Sequence, residues 1–145
     1  MRPDHYKIEM LTDEQVEKLW PQMKPSFKQA CESNELSRAD MTPDTIYDLA
    51  LDGTIVIFAF YEAGRVATVL AIQFVDIYGK RGAELIAMAG RNLMVFKSLF
   101  WEYILDWLRA NNIKHVDAYA NDRIAEVYKA KFGFDQGCQF VRMTL

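Results

Sequence analysis

The fold is decided by the stretch Glu84-Leu85-Ile86-Ala87-Met88-Ala89-Gly90-Arg91-Asn92 and by the helix and strand that follow it. The run 84–89 is short, apolar and bounded by glycine, which predicts a buried strand. Apolar residues then recur at helical spacing over 92–109, with charges opposite them, and a second apolar strand is predicted over 113–119. Strand, helix and strand in this order form a βαβ unit, whose two strands lie parallel. The predicted apolar face of the helix comprises Leu93, Phe96, Leu99, Phe100, Tyr103, Ile104, Trp107 and Leu108.

An antiparallel meander is predicted upstream of this unit. Residues 54–61 are β-branched and aromatic, a turn follows at 62–65, and a second strand covers 66–76. Both strands are apolar on both faces, so we expect helices to cover both sides of the sheet. A second turn over 78–82 leads into the strand 84–89, which becomes the third strand of the meander.

Helix signals mark both ends of the chain. Thr12-Asp13-Glu14-Gln15 follows a short extended segment and is a capping box for a first helix, which Pro21 and Pro25 are expected to kink or break in two. Thr42-Pro43 begins a second helix that Gly53 ends. Asn121 caps a last helix that runs to Phe132 and ends at Gly133, and a strand near 139–144 closes the chain.

These elements predict one α/β (α+β) domain over residues 1–145. The expected architecture is a mixed central sheet of about six to seven strands with helices on both faces. No internal repeat, low-complexity tract or linker interrupts the chain.

Composition excludes several classes of function. A net charge of -3 gives no basic footprint for nucleic acid. Cys31 and Cys138 form no CxxC pair and lie far in sequence from His5 and His115, so no metal site or disulfide framework is predicted. The charged N-terminus and the interrupted apolar runs predict neither a signal peptide nor a membrane span, and the expected location is the cytoplasm.

The order of the elements, over essentially the whole chain, resembles the GNAT family of N-acetyltransferases. The segment 121–134 is the closest local match, because Asn121, Tyr128 and Gly133-Phe134 look like the asparagine, the tyrosine and the terminal Gly-Phe of that family. One extra residue stands between Tyr128 and Gly133. Gly90-Arg91 leads into a helix with Trp101 and Trp107, and in this the chain is also similar to the divergent GNAT-like proteins encoded by bacteriophages and prophages, which keep a Gly-Arg or Gly-Lys entry to a tryptophan-bearing helix.

The resemblance implies acetyl-CoA as a co-substrate, held by the fourth strand and the loop into the central helix. The family's Arg/Gln-x-x-Gly-x-Gly/Ala pattern lets backbone amides at a helix N-terminus close on the pyrophosphate. Here one glycine and an arginine remain, while Leu93 and Met94 add bulk. Asn121 would bind the pantetheine arm or only cap its helix. The implied cofactor-binding residues are Ala87, Met88, Ala89, Gly90, Arg91, Asn92 and Asn121.

Acyl transfer to an amine needs a base for the ammonium proton, donors for the oxyanion and an acid for the thiolate. The resemblance implies Glu84 as the base, backbone N–H groups around Met88 for the oxyanion, and Tyr128 as the acid. Each residue has a structural alternative, since Tyr128 has the spacing of a core residue and Glu84 follows a turn as a solvent-exposed strand-end charge would.

Two functions remain open at this point. The first is an acyl-CoA-dependent N-acetyltransferase that acts by direct transfer on an amine of a protein or small molecule, for which acidic residues at 32–48 would suit a cationic acceptor or form a solvated helix face. The second is a catalytically degenerate GNAT-fold phage protein with a structural or host-interaction role, located in the host cytoplasm or the virion and binding a protein partner. A homodimer is compatible with either.

Overall fold

A computed structural model describes residues 5–32, 41–118, 120, 122–135, 143 and 145. The helices are α1 (Asp13–Glu32), α2 (Pro43–Leu51), α3 (Leu93–Ala110) and α4 (Asp122–Lys131). The strands are β1 (Tyr6–Met10), β2 (Ile55–Glu62), β3 (Arg65–Ile77), β4 (Lys80–Gly90) and β5 (Val116–Ala118). Asn121 and residues 139–142 and 144, to which the sequence assigns a cap and a last strand, lie outside the described residues.

The sheet is mixed, as the sequence predicts. Its strand order is β1-β2-β3-β4-β5, and every neighbouring pair is antiparallel except β4 and β5, which are parallel. The βαβ unit of β4, α3 and β5 is therefore confirmed. The described sheet has five strands, fewer than the six to seven expected, and the predicted closing strand near 139–144 falls outside the described residues.

The first helix begins as predicted and continues further than predicted. Thr12 and Gln15 form the capping box, since each backbone N–H donates to the other's side chain, at 2.9 and 3.2 Å. Of the two outcomes expected at Pro21 and Pro25, the break is wrong, because α1 runs without interruption through both, and the kink stays a prediction. The buried side chains Val16, Met23 and Phe27 hold both halves of α1 on the sheet and offset the backbone hydrogen bonds that the prolines remove.

The two hairpin turns are both tight. Ala63 and Gly64 in the first, and Tyr78 and Gly79 in the second, all have positive φ, the geometry of two-residue turns whose twist matches the strands. The second turn is thus shorter than the predicted 78–82, and β4 begins at Lys80.

Helices cover both faces of the sheet, as expected. On one side, called the α1 face, α1 and α2 pack against Ile55, Ile57, Val69 and Ala71. On the other side, called the α3 face, α3 and α4 pack against a cluster from β2, β3 and β4 that comprises Phe58, Phe60, Leu70, Ile72, Leu85 and Met88.

The apolar face of α3 is only partly as predicted. Phe96, Ile104 and Leu108 are buried, but Leu99 and Tyr103 are 39% and 53% exposed. Trp101 is buried instead, because α4 packs against it: its indole N–H donates to the Phe132 carbonyl at 3.1 Å. Within the described residues, no helix has both the length and the apolar character needed to cross a bilayer.

Candidate functional site

The strands β4 and β5 separate part-way along β4. Pairing of β4 with β3 continues to Gly90, whereas pairing with β5 covers only Ala83 to Leu85, opposite Val116 to Ala118. Beyond Leu85, no strand of the described part of the chain pairs with the β5 side of β4. Among the residues that the structure describes, the result is a gap that is bordered by an unpaired strand edge.

The backbone of Met88 faces this gap. The Arg91 N–H donates to the Ala67 carbonyl at 2.7 Å, so the backbone groups of Arg91 point to β3. Backbone groups alternate along a strand, so those of Ala89 and Ala87 also point to β3 while those of Met88 point away from it. Met88 therefore presents its N–H and C=O to the gap.

A β-bulge lies where the two strands separate. Leu85 is opposite Ile72 and Ala87 is opposite Ala71, which leaves Ile86 as an extra residue on β4. A bulge bends its strand and increases the local twist. The bulge therefore directs the end of β4 away from β5.

The junction between β4 and α3 is short and tightly packed. It consists of Arg91 and Asn92 alone. Gly90 has a φ of 131°, and a Cβ atom there would overlap the Ala67 carbonyl and lie 2.9 Å from the Thr68 Cα. The close approach of β4 to β3 thus explains why glycine occupies position 90, without any ligand.

Hydrogen bonds join this junction to the β2–β3 hairpin. The buried Thr68 hydroxyl donates to the Arg91 carbonyl at 2.5 Å, and the Arg91 guanidinium donates to the Val66 carbonyl at 3.3 Å. The side-chain amide of Asn92 donates to the Glu62 carboxylate. Sequence reasoning missed Thr68 and Glu62. Thr68 is identifiable as the one polar residue in the apolar run 66–72, whereas nothing local marks Glu62.

The N-terminus of α3 has no side-chain cap, because Asn92 adopts a left-handed conformation and its amide is directed to Glu62. The first helical bond runs from the Phe96 N–H to the Asn92 carbonyl, so the amides of residues 93–95 have no acceptor within α3. The bulky side chains expected at this helix start mostly point away from it. Leu93 and Val95 pack toward the core, and only Met94, 41% exposed, points outward.

Tyr128 lies on α4 at the α3 face. Its ring stacks on Phe134 with centroids 5.2 Å apart and meets Phe132 edge-on at 5.9 Å. Desolvation raises the pKa of Tyr128 to about 12, so the phenol is protonated at neutral pH. No described residue hydrogen bonds to its hydroxyl. This geometry fits a core residue and also a catalytic acid, because a half-buried, protonated phenol can donate a proton.

Glu84 lies on the other side of the sheet from Tyr128. It pairs with Gln73 on β3 and Asp117 on β5, and its neighbours Ala83 and Leu85 belong to the α3 face. Because side chains alternate along a strand, Glu84 points to the α1 face, where it is partly exposed. The structure places Glu84 beside the last paired residues before the gap, and does not bring it next to Tyr128.

Solved structures of other proteins share this fold. No family model and no curated protein matches the sequence. An aminoglycoside acetyltransferase from an uncultured soil metagenomic sample superimposes with a TM-score of 0.70 at 16% identity, covering 99% of this chain and 98% of that one. This chain has the GNAT fold.

Two further solved structures agree. A predicted acetyltransferase with acetyl-CoA from Clostridium acetobutylicum has a TM-score of 0.66 at 15% identity, covering 96% of both chains. A ribosomal-protein-alanine N-acetyltransferase from Brucella melitensis biovar Abortus 2308 has a TM-score of 0.65 at 12% identity, covering 97% of this chain and 98% of that one. The GNAT-like fold class is thereby confirmed, while the likeness to phage-encoded proteins gains no support from these structures.

Proposed function

We propose that this chain transfers an acetyl group directly from acetyl-CoA to an amine. The unpaired edge of β4 at Met88 carries the proposal, because its N–H and C=O can bind an extended, amide-containing group placed in the gap between β4 and β5. Solved GNAT-fold neighbours are N-acetyltransferases, and one of them holds acetyl-CoA.

The phosphate end of the co-substrate would lie at the N-terminus of α3. The free amides of residues 93–95 and the positive end of the helix dipole favour an anion there. The Arg91 side chain is exposed and held by one long hydrogen bond, so it can turn from Val66 to a phosphate. Ala87, Ala89, Gly90 and Asn92 shape this path through their backbone, and Asn121 is assigned to the pantetheine arm.

The proposed chemistry uses both faces of the sheet. On the α1 face Glu84, directly or through water, takes a proton from the ammonium so that the amine nitrogen attacks the thioester carbonyl. The Met88 N–H stabilises the resulting oxyanion. The carbon–sulfur bond then breaks as Tyr128 on the α3 face donates its proton to the departing thiolate, and the second proton of the acetylated nitrogen returns through water to the tyrosinate.

The acceptor is assigned only to the class of amines on proteins or small molecules. The acidic residues of the first two helices are exposed, and Lys24 and Lys28 approach Asp44 and Glu32 at 3.9 and 4.0 Å. Such exposed pairs fit a solvated helix surface as well as a cationic acceptor site.

A second candidate is a non-catalytic GNAT-fold module that binds a protein partner, including a phage structural or host-interaction protein. The junction at Arg91 and Asn92 favours it, because both side chains and the Arg91 amide are bound to the β2–β3 hairpin. A carboxylate, Glu62, also lies next to the proposed anion site.

Calorimetric titration with acetyl-CoA separates the two candidates. The acetyltransferase hypothesis predicts that acetyl-CoA binds in the micromolar range and that Arg91→Glu abolishes this binding. Arg109→Glu is the matched control, since it makes the same charge change at the opposite end of α3 and should preserve binding. If no binding heat is measured at millimolar acetyl-CoA, the acetyltransferase hypothesis is wrong and the non-catalytic binding module is the remaining candidate.

A further inference from the structure

The outer edge of β1 is open in the described part of the chain. The Ala63 N–H donates to the His5 carbonyl at 2.7 Å and the Leu11 N–H donates to the Ile57 carbonyl at 2.9 Å, so the odd-numbered residues of this segment bond to β2. The backbone groups of Tyr6, Ile8 and Met10 therefore point outward. Such an edge can pair with another strand.

The side chains of β1 divide by face. Tyr6 and Ile8 pack on the α3 face, and Met10 follows them by alternation, 52% exposed. Lys7 and Glu9 lie on the α1 face with Lys7 Nζ 3.4 Å from Glu9 Oε2, and Lys7 is the more exposed of the two. The strand thus has an apolar row and a row with one charge of each sign.

We propose that a second copy of this chain pairs with β1 in antiparallel orientation, about a two-fold axis that is perpendicular to the sheet and passes midway between Ile8 and the partner's Ile8. Ile8 then lies opposite the partner's Ile8, and Tyr6 lies opposite the partner's Met10. Lys7 lies opposite the partner's Glu9, and Glu9 opposite the partner's Lys7. The outward-pointing residues Tyr6, Ile8 and Met10 face their partners in this register, so each of these pairs exchanges both backbone hydrogen bonds.

Charge selects this register over its neighbours. In one neighbouring register the axis lies between the two copies of Lys7, so that Lys7 is opposite the partner's Lys7. In the other the axis lies between the two copies of Glu9, so that two carboxylates are opposite each other. Like charges directly opposite are destabilising in a sheet, whereas unlike charges are stabilising. The sequence of β1 therefore complements itself in one alignment, which is the reason to assign a second copy rather than an unrelated peptide.

Further exposed apolar side chains lie on α3, on the same side of the sheet as the apolar row of β1. Leu99 and Tyr103 stand two residues on either side of Trp101, which places them about half a turn away from it around α3. Trp101 contacts Phe132 at the α4 side, so Leu99 and Tyr103 point away from α4. Like Met10, they are exposed apolar side chains that a partner could cover.

Charge reversal tests the proposed dimer. Sedimentation of the full chain over a dilution series should show a monomer–dimer equilibrium, and Lys7→Glu or Glu9→Lys alone should raise its dissociation constant by about tenfold or more. An equimolar mixture of the two single variants should regain the dimer, because each strand then meets the opposite charges. The double variant Lys7→Glu/Glu9→Lys should also dimerise, since it exchanges the two charges.

The mixture also controls for folding, because a misfolded variant would not be rescued by its counterpart. A wild-type chain that stays monomeric at every concentration would overturn the proposal. A dimer that neither single variant weakens, or that mixing does not restore, would also overturn it by placing the interface elsewhere. None of these outcomes depends on acetyl-CoA binding.

Discussion

The Arg91 N–H donates to the carbonyl of Ala67 over 2.7 Å, and this bond ties the end of β4 to an irregular point of β3. Ala67 is the extra residue of a β-bulge, since Phe60 pairs with Thr68 and Tyr61 with Val66. The bond fixes the direction of the backbone groups along the end of β4. Through that alternation it turns the Met88 N–H to the gap, where an oxyanion would need it.

Gly90→Ala should destabilise the fold. The added Cβ would overlap the Ala67 carbonyl at a φ that L-residues rarely adopt, so we expect a loss of about 3 kcal/mol in the free energy of unfolding. Urea denaturation measures it. Gly64→Ala is the matched control, because φ is also positive there and no atom lies within 4 Å, so its loss should be smaller. Equal losses would show that the approach to Ala67 has no energetic weight.

Thr12→Ala should lower the free energy of unfolding by about 1 kcal/mol, since it removes the hydroxyl that caps the Gln15 amide. Gln15→Ala removes the reciprocal bond to the Thr12 amide. Because the two bonds form one capping box, the double variant should lose less than the sum of the single losses. Strict additivity in thermal or urea unfolding would contradict a coupled box.

Tyr128→Phe should change the alkaline stability of the protein. The pKa of Tyr128 is raised to about 12 by desolvation, so the folded state keeps a proton that the unfolded chain releases near the ordinary tyrosine value of 10.0. The contribution of protonated Tyr128 to the free energy of unfolding is complete below pH 10 and is lost as pH rises through about 12. The unfolding free energy of Tyr128→Phe should therefore fall less steeply over that window than that of the wild type. Identical slopes would place Tyr128 in a solvated setting.

The same substitution tests the proposed acid. Tyr128→Phe should lower kcat by about tenfold to a hundredfold while the dissociation constant of acetyl-CoA stays nearly unchanged, because proton donation acts only as the thiolate leaves. Release of free thiol follows the rate, and calorimetry follows binding. An unchanged rate would remove Tyr128 from the mechanism.

Glu62→Gln should tighten acetyl-CoA binding by about twofold to fivefold, since a negative charge is removed near the N-terminus of α3 while a hydrogen-bond acceptor for Asn92 remains. Glu102→Gln makes the same change on the exposed surface of α3 and should have no effect. Weaker binding in Glu62→Gln would mean that its carboxylate supports the site rather than opposing an anion.

Local signals in the sequence predicted much of the fold. The capping box at Thr12, the Thr42-Pro43 helix start and the parallel βαβ unit depend on neighbouring residues and are confirmed. The prolines of α1 show the limit of such signals, because buried side chains on both sides of them decide whether the helix continues. Trp101 shows the same limit, since its burial depends on where α4 packs.

The candidate site is predictable only in part. The sequence indicates a strand end and a helix start over 87–92, and the structure places this junction beside the gap, whereas the cofactor-binding role of these residues remains a prediction. The bonds of Glu62 to Asn92 and of Thr68 to Arg91 join residues 30 and 23 positions apart, so the sequence does not indicate them. The roles of Glu84, Tyr128 and Asn121 remain predictions.

The amide of Met88 shows most directly whether the gap holds the co-substrate. Residue-resolved hydrogen exchange should be compared with and without saturating acetyl-CoA. We expect the Met88 N–H, which no described strand protects, to exchange more slowly once the co-substrate occupies the gap, while the Ala87 and Ala89 amides on the β3 side change little. Binding of acetyl-CoA that leaves Met88 exchange unchanged would contradict the assignment of the gap as the site.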